Sequence, residues 1–300
     1  MVNLFGEEEL DVTRSILRQK FIEPPFSILD TRQAGWQERK RTWKQLGIRP
    51  EIVRDASNTK TFNISEWAAE KADKDMPAIS IFDPALCEVI YKWFCPDGGM
   101  ILDPFAGGAV RGVVANFMGY HYTGIDIRQE QIDDNRAQAL DILPVNNQPQ
   151  YFVGDSREIL GALWATRTAC GGDRSLYDMV FTCPPYVDLE KYSDIPGDIS
   201  NMSWDSFLVA YRDIIKTSCD LLKKGGMAVF VVGEVRDKKG NFYGLIPATV
   251  EAFKDAGMEY YNEIIMITPT GTAAIRANGS MKNKKIVRTH QNILVFKKGV

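Results

Sequence analysis

The sequence predicts an α/β fold, a mostly parallel sheet with helices on both faces and antiparallel pairing at its carboxyl-terminal end. Two observations carry the prediction. From about residue 84 to 258, short apolar runs rich in β-branched and aromatic residues alternate with longer amphipathic stretches, the pattern of parallel strands joined by crossover helices. Two later runs, 260–267 and 291–297, have no obvious helix between them, which predicts a pair of antiparallel strands.

Taken in order, residues 1–80 read as an appendage able to contact a partner. They hold a helix-like acidic start, the Pro24-Pro25 break, a basic stretch from Arg39 to Lys44, and polar turns around Asn58 and Asn63. Residues 81–300 form the main domain. Its strand candidates are Met100 to Asp103, His121 to Ile127, Gln150 to Val153, Met179 to Cys183 and Met227 to Val232, with helix candidates near 84–94, 108–118, 129–140, 156–165, 204–223 and 246–256. Lys224-Gly225-Gly226 reads as the stop after the long helix and Gly257 as the stop before Met258, since glycine takes the left-handed turn that ends a helix.

The 300 residues can hold one elaborated domain or two small ones, and 45% hydrophobic with 25% charged residues is an ordinary globular composition. No run of about 18 apolar residues occurs, and the start lacks a basic, apolar leader, so no membrane association is expected and the cytoplasm is the expected compartment. Five cysteines at irregular spacing, Cys87, Cys95, Cys170, Cys183 and Cys219, contain no C-x-x-C pair. They read as reduced thiols. The two histidines, His121 and His290, lie beside strand-like runs and read as structural, so no metal is expected. A net charge of -3 does not announce a nucleic-acid binder, and the placement of Lys and Arg decides instead.

Met100-Ile-Leu-Asp103 runs into Pro-Phe-Ala-Gly107-Gly108 and then a helix. Ligands of open α/β sheets bind at that end of a strand. Glycine lets a backbone come close to a ligand, and Asp103 can pair with a cationic amino group. A tight turn with no ligand is the competing reading, and a dinucleotide site is disfavoured because glycines at 107, 108 and 112 do not make G-x-G-x-x-G. The next two strands end at Asp126 and Asp155, which read either as acceptors for ribose hydroxyls and an adenine amine or as turn and cap residues. Further on, a buried strand runs into Cys183-Pro184-Pro185-Tyr186. The prolines fix an extended bend that presents backbone carbonyls and the Tyr186 ring to one cleft.

Together these residues resemble the S-adenosyl-L-methionine-dependent DNA amino-methyltransferases. That family carries Asp-Pro-Phe-x-Gly-x-Gly as its cofactor motif and, as its catalytic motif, Asp, Asn or Ser followed by Pro-Pro and an aromatic. The resemblance spans about residues 80 to 300. It implies a Rossmann-like class I methyltransferase fold with a seven-stranded sheet and a carboxyl-terminal antiparallel strand. It also implies that Asp103, Phe105 and Gly107 form the cofactor loop, that Asp126 holds the ribose and Asp155 the adenine, and that Phe82 and Asp83 line the methionine pocket. Cys183, Pro184, Pro185 and Tyr186 match the catalytic tetrad. The segments 25–36 and 290–296 are similar to phage- or prophage-encoded DNA adenine methylases, which implies a bacterial or phage-infected cell.

Two positions depart from the family pattern. Gly107-Gly108-Ala109 displaces the second glycine, and Cys183 replaces an oxygen-bearing side chain although a thiol is a weak acceptor. By resemblance, the Pro184 carbonyl and residue 183 accept the two hydrogens of an exocyclic base amine while Tyr186 stacks on the extruded base. Adenine N6 is the expected target, with cytosine N4, RNA, a protein glutamine, or an inactive DNA-binding protein as alternatives. A cytosine C5 enzyme, with Cys183 as nucleophile, is disfavoured because the cysteine precedes the proline. The expected partner is double-stranded DNA, bound by a monomer or homodimer. Contacts are expected from Arg39 and Arg41 in the appendage, from Tyr192 after the tetrad, and from Arg276, Lys282, Lys284, Lys285 and Arg288 between the last two strands. Each basic cluster can equally be a solvated face.

Overall fold

A computed structural model of the chain describes residues 12–51, 81–169, 176–186, 193, 195–237, 239–271 and 273–299. Eight strands among them form one sheet, β1 (Ile28–Asp30), β2 (Met100–Asp103), β3 (His121–Asp126), β4 (Gln150–Val153), β5 (Tyr177–Thr182), β6 (Leu222–Val232), β7 (Met258–Ile267) and β8 (His290–Lys298). Their order is β1-β7-β8-β6-β5-β2-β3-β4. All neighbouring pairs are parallel except those that β8 makes with β6 and β7. Strands β2 to β8 are thus the expected seven-stranded sheet of the Rossmann-like class I methyltransferase fold, and β1 is an eighth strand that the sequence reading did not foresee.

The helices are α1 (Val12–Phe21), α2 (Ala34–Gln45), α3 (Pro84–Phe94), α4 (Val110–Phe117), α5 (Gln129–Ile142), α6 (Ser156–Ala169), α7 (Trp204–Asp220), α8 (Leu245–Asp255) and α9 (Ala273–Met281). Both faces of the sheet are covered, and this is legible along β6. Val229 and Val231 join a core with residues of α2 to α5, whereas Ala228, Phe230 and Val232 join one with α7 and α8. Strand side chains alternate between faces, so a strand buried on both reads as a continuous apolar run.

Local chemistry sets several ends. Asp83 caps α3 by accepting from Ala85 N at 3.0 Å, with Pro84 in the first turn, where a missing N–H costs nothing. Ser203 caps α7, and Gly257, at φ +80°, closes α8 as expected.

Three expectations need correction. Helix α7 ends at Asp220, before Lys224-Gly225-Gly226. Those residues lie inside β6, where Tyr177 and Met179 of β5 pair with Leu222 and Met227, so the intervening residues bulge outward and Gly225 takes φ +74°. Second, a helix does separate β7 from β8. Helix α9 ends at Met281, and the turn after it is closed by Lys284 at φ +57°, the left-handed position usually left to glycine, while Lys285 N donates to Ser280 O at 3.1 Å. Third, the appendage contributes to the sheet and its core. Strand β1 pairs with Ile265–Ile267, and Trp36 and Trp43 are buried in the cluster around α3 and α4.

Candidate active site

Strand β2 lies between β3 and β5, so the chain leaves β2 toward one side of the sheet and returns on the other. Such a reversal opens a crevice at the carboxyl ends of the strands. Asp103 ends β2 there and is fully buried. Its Oδ1 accepts from Thr182 Oγ1 at 2.5 Å and Phe105 N at 3.1 Å, and its Oδ2 accepts from Arg111 Nε at 2.5 Å and Tyr122 Oη at 2.6 Å. Both oxygens are thus engaged internally, and the Thr182 contact joins β2 to the strand that delivers the Cys-Pro-Pro-Tyr segment. The Arg111 guanidinium also donates to Phe105 O and Ala106 O and lies 4.5 Å from the Phe82 ring centroid. A buried arginine is tolerable only when its charge and donors are met in this way.

The glycine turn follows. Gly107, at φ +49°, donates its N–H to Asp126 Oδ2 at 3.0 Å, and its carbonyl accepts from Asn135 at 2.7 Å. Gly108 N donates to Glu51 Oε1 at 3.1 Å. A Cβ on Gly107 or Gly108 would come within 2.8 or 2.7 Å of the Glu51 side chain, so the turn forms a close cradle around a carboxylate. Asp126 also accepts from Arg128 N at 2.9 Å. Burial pushes its carboxyl up to about 6, outweighing the opposing pull of Arg128.

Asp155 accepts from Arg157 N at 2.9 Å and from its guanidinium at 2.5 Å at the start of α6. Burial raises its pKa, but these bonds outweigh burial and hold it below the ordinary value. Phe105 rests near Tyr211, and Phe82 meets Phe181 edge-on. Asp83 is occupied by its capping bond and by Trp36 Nε1 and Lys40 Nζ, at 3.1 and 3.2 Å.

Cys183 is the first residue beyond β5. It is half-buried, Pro184 is buried, and Pro185 and Tyr186 are half-buried. Burial pushes the Cys183 thiol up to about 11 despite the opposing influence of Arg111 and the Tyr186 hydroxyl. A Cβ on Gly233, just past β6, would stand 3.4 Å from Tyr186 Oη and 3.9 Å from Arg288 Nη1. Tyr186 and Arg288 therefore flank the same backbone.

The expected contact residues divide. Lys282 and Lys284 are exposed after α9, Lys285 and Arg288 are half-buried, and Arg276 is half-buried within α9. In α2, Arg39 pairs with Glu88 at 3.4 Å, while Arg41 is exposed. Tyr192 lies outside the described residues. A feature missed in the sequence sits beside the basic connection. Residues 235–237 and 239–243 form a small hairpin in which Arg236 pairs with Phe242, Tyr243 N donates to Val235 O at 2.9 Å, and Gly240 turns the chain at φ +95°. Glu234 accepts from Gly244 N and Ile246 N at 3.1 and 2.8 Å, anchoring the hairpin to the start of α8. The signal was present as Asp237-x-x-Gly240-Asn241, a turn sequence between aromatic and cationic residues.

No helix among the described residues is long and apolar enough to cross a membrane, and none of their His, Cys, Asp and Glu side chains cluster as a metal site. Neither a protein-family model nor a curated protein matches the chain. Solved structures do align. TrmN from Thermus thermophilus aligns at 15% identity and a TM-score of 0.46, over 72% of this chain and 49% of its own. A TehB-like SAM-dependent methyltransferase from Corynebacterium glutamicum aligns at 17% identity and 0.42, over 74% and 90%. TTHA0409, also from Thermus thermophilus, provisionally named a DNA modification methylase and complexed with S-adenosyl-L-methionine, aligns at 23% identity and 0.36, over 49% and 54%. The chain spans about half the length of TrmN and TTHA0409.

Proposed function

We propose that this chain transfers a methyl group from S-adenosyl-L-methionine to the N6 amine of adenine in DNA. The observation that carries the reading is the hydrogen bond between Thr182 and Asp103. It holds a glycine turn and a Pro-Pro-Tyr segment side by side at the carboxyl edge of the sheet, as a bisubstrate site requires.

The residues fit the cofactor. The cradle at Gly107 and Gly108 already accepts a carboxylate, that of Glu51, the same chemical group that ends a methionine. Asp126 stands at the adjoining strand end to hold ribose hydroxyls, and Asp155 lies at the next. Phe82, with Arg111 over its ring, walls the methionine side. Asp103, with both oxygens engaged by Thr182, Tyr122, Arg111 and Phe105, acts as the organiser of this wall. When bound, the cofactor supplies an electrophilic methyl group.

The remaining chemistry belongs to the tetrad. An exocyclic amine is a poor nucleophile because its lone pair is delocalised into the ring. The Pro184 carbonyl and Cys183 Sγ accept its hydrogens and so draw the lone pair out of the ring, with the geometry fixed by Pro184 and Pro185. Tyr186 stacks on the extruded base, offsetting about 1–3 kcal/mol of the cost of extrusion. The raised thiol of Cys183 favours an amine target over a thiolate adduct on the base, because the nucleophile of such an adduct must be ionised.

The test is incubation of the purified chain with methyl-labelled cofactor and unmethylated DNA, then digestion to nucleosides and mass analysis. N6-methyladenine supports the proposal. N4-methylcytosine corrects the base, and a chain that binds cofactor but labels no DNA overturns it.

A further inference from the structure

The hairpin around Gly240 is used neither by the cofactor cradle nor by the tetrad. Its Phe242 is 52% exposed. The Arg236 guanidinium lies 3.9 Å from the Phe242 ring centroid, and that of Arg288 lies 6.0 Å away. We propose that Phe242, braced by Arg236 and Arg288, is a stacking surface for a base left unstacked in duplex DNA when its neighbour is extruded to Tyr186. The proposal deepens the reading of DNA as the methyl acceptor and rests on it.

Three features carry it. An aromatic ring offers a π-face to any unstacked base, such as extrusion of a neighbour exposes, while guanidiniums meet phosphates, a combination that binds nucleic acid with little sequence demand. The surface adjoins the site, since a Cβ on Gly233 would stand 3.4 Å from Tyr186 Oη and 3.9 Å from Arg288 Nη1, and Gly233 leads directly into the hairpin. It is also prebuilt. Arg236 Nη1 donates to Gly240 O at 2.7 Å, Asp237 accepts from Asn241 N at 2.8 Å, Glu234 anchors the base, and Lys285 lies against Gly240. A ring already held in place loses little freedom on binding. The one acidic side chain in the turn, Asp237, is outnumbered by Arg236 and Lys239, so the net charge of the turn is cationic.

The experiment compares the full chain with Phe242→Ala, Phe242→Trp and Arg236→Met. Fluorescence anisotropy of a labelled mixed-sequence duplex reads affinity across a salt series, and methyl transfer to unmethylated DNA is measured in parallel. Phe242→Ala is expected to weaken duplex binding about 5- to 100-fold, with Phe242→Trp close to wild type. Arg236→Met is expected to reduce the slope of log affinity against log salt by about one. Cofactor affinity and melting temperature should stay unchanged for Phe242→Ala. If Phe242→Ala binds and methylates DNA as the wild type does, the stacking surface is overturned while the acceptor reading stands. If the wild type binds cofactor but neither binds nor methylates duplex DNA, both fall together.

Discussion

Cys183 is one of the two places where the chain departs from the motifs it resembles, and burial decides what the thiol can do. With its pKa pushed up to about 11, the thiolate is on the order of one part in ten thousand at pH 7. Alkylation of Cys183 by iodoacetamide should therefore stay slow until the pH approaches 11, as mass mapping of the labelled site would show. Cys183→Asp and Cys183→Asn should retain methyl transfer, because oxygen accepts from an amine better than sulfur does. If both variants are inactive with native circular dichroism, position 183 is not an amine acceptor. Asp126 carries a pH signature of its own. Its folded pKa of about 6 exceeds the ordinary 3.8, so between those values the folded chain binds the proton more readily. The group's contribution to stability consequently rises as pH falls through that window. Cofactor affinity should move the opposite way and weaken below pH 6, by at most about tenfold per pH unit, because the carboxylate is the better acceptor for ribose hydroxyls. Calorimetric titration of wild type and Asp126→Asn from pH 5 to 8 reads this, and an equal slope in both excludes it. The acidic strand ends Asp103, Asp126 and Asp155 are legible in the sequence as polar residues closing apolar runs. Their partners are not, since Arg111, Tyr122 and Thr182 meet Asp103 only through tertiary packing.

Among the elements, β2, β4 and α3 match the sequence reading residue for residue, because strand ends and caps there are marked by local chemistry. Strand β1 was missed because three residues are too few to show alternation, and its extended shape depends on pairing with β7. Helix α9 was missed because Asn278, Gly279 and Ser280 have low helix propensity and look like a loop. Gly225 was misassigned for a related reason, since a left-handed glycine ends a helix and makes a bulge with the same dihedral angles. Helix α4 offers a test of packing. A Cβ on Gly112 would strike the hydroxyl of Tyr151 and approach the Tyr122 ring at 3.0 Å. Gly112→Ala should cost about 1–3 kcal/mol in urea unfolding. It should also weaken cofactor binding, because Tyr122 is one of the donors to Asp103. A variant as stable as wild type would show that the two tyrosines shift freely.

For the whole molecule, the edge of the sheet is where another chain could pair. Strand β7 would be an edge strand without β1, and β1 covers only its apolar end, Ile265–Ile267. The uncovered part carries Glu259, Asn262 and Glu263, which discourage pairing with another chain. Removing residues 1–31 should therefore leave the cofactor site folded but promote self-association, read by size-exclusion chromatography with light scattering. A monodisperse truncated chain eluting like the full-length protein would show that β1 has no such role. The parallel sheet and its carboxyl-edge site were legible from the alternation of strands and helices. Which basic residues share that edge was not, because it depends on the direction of one strand.

That direction has a consequence for variation. Since β8 runs against its neighbours, the connection from Ile267 to His290 both leaves and re-enters the sheet at the edge that carries Cys183. Had β8 been parallel, the connection would have had to cross to the opposite edge before returning. The interval can therefore lengthen, shorten or be exchanged for another without disturbing any ladder. It is the natural graft point for exchanging the basic side chains at that edge while leaving β2, β5 and the Cys183–Tyr186 segment in place.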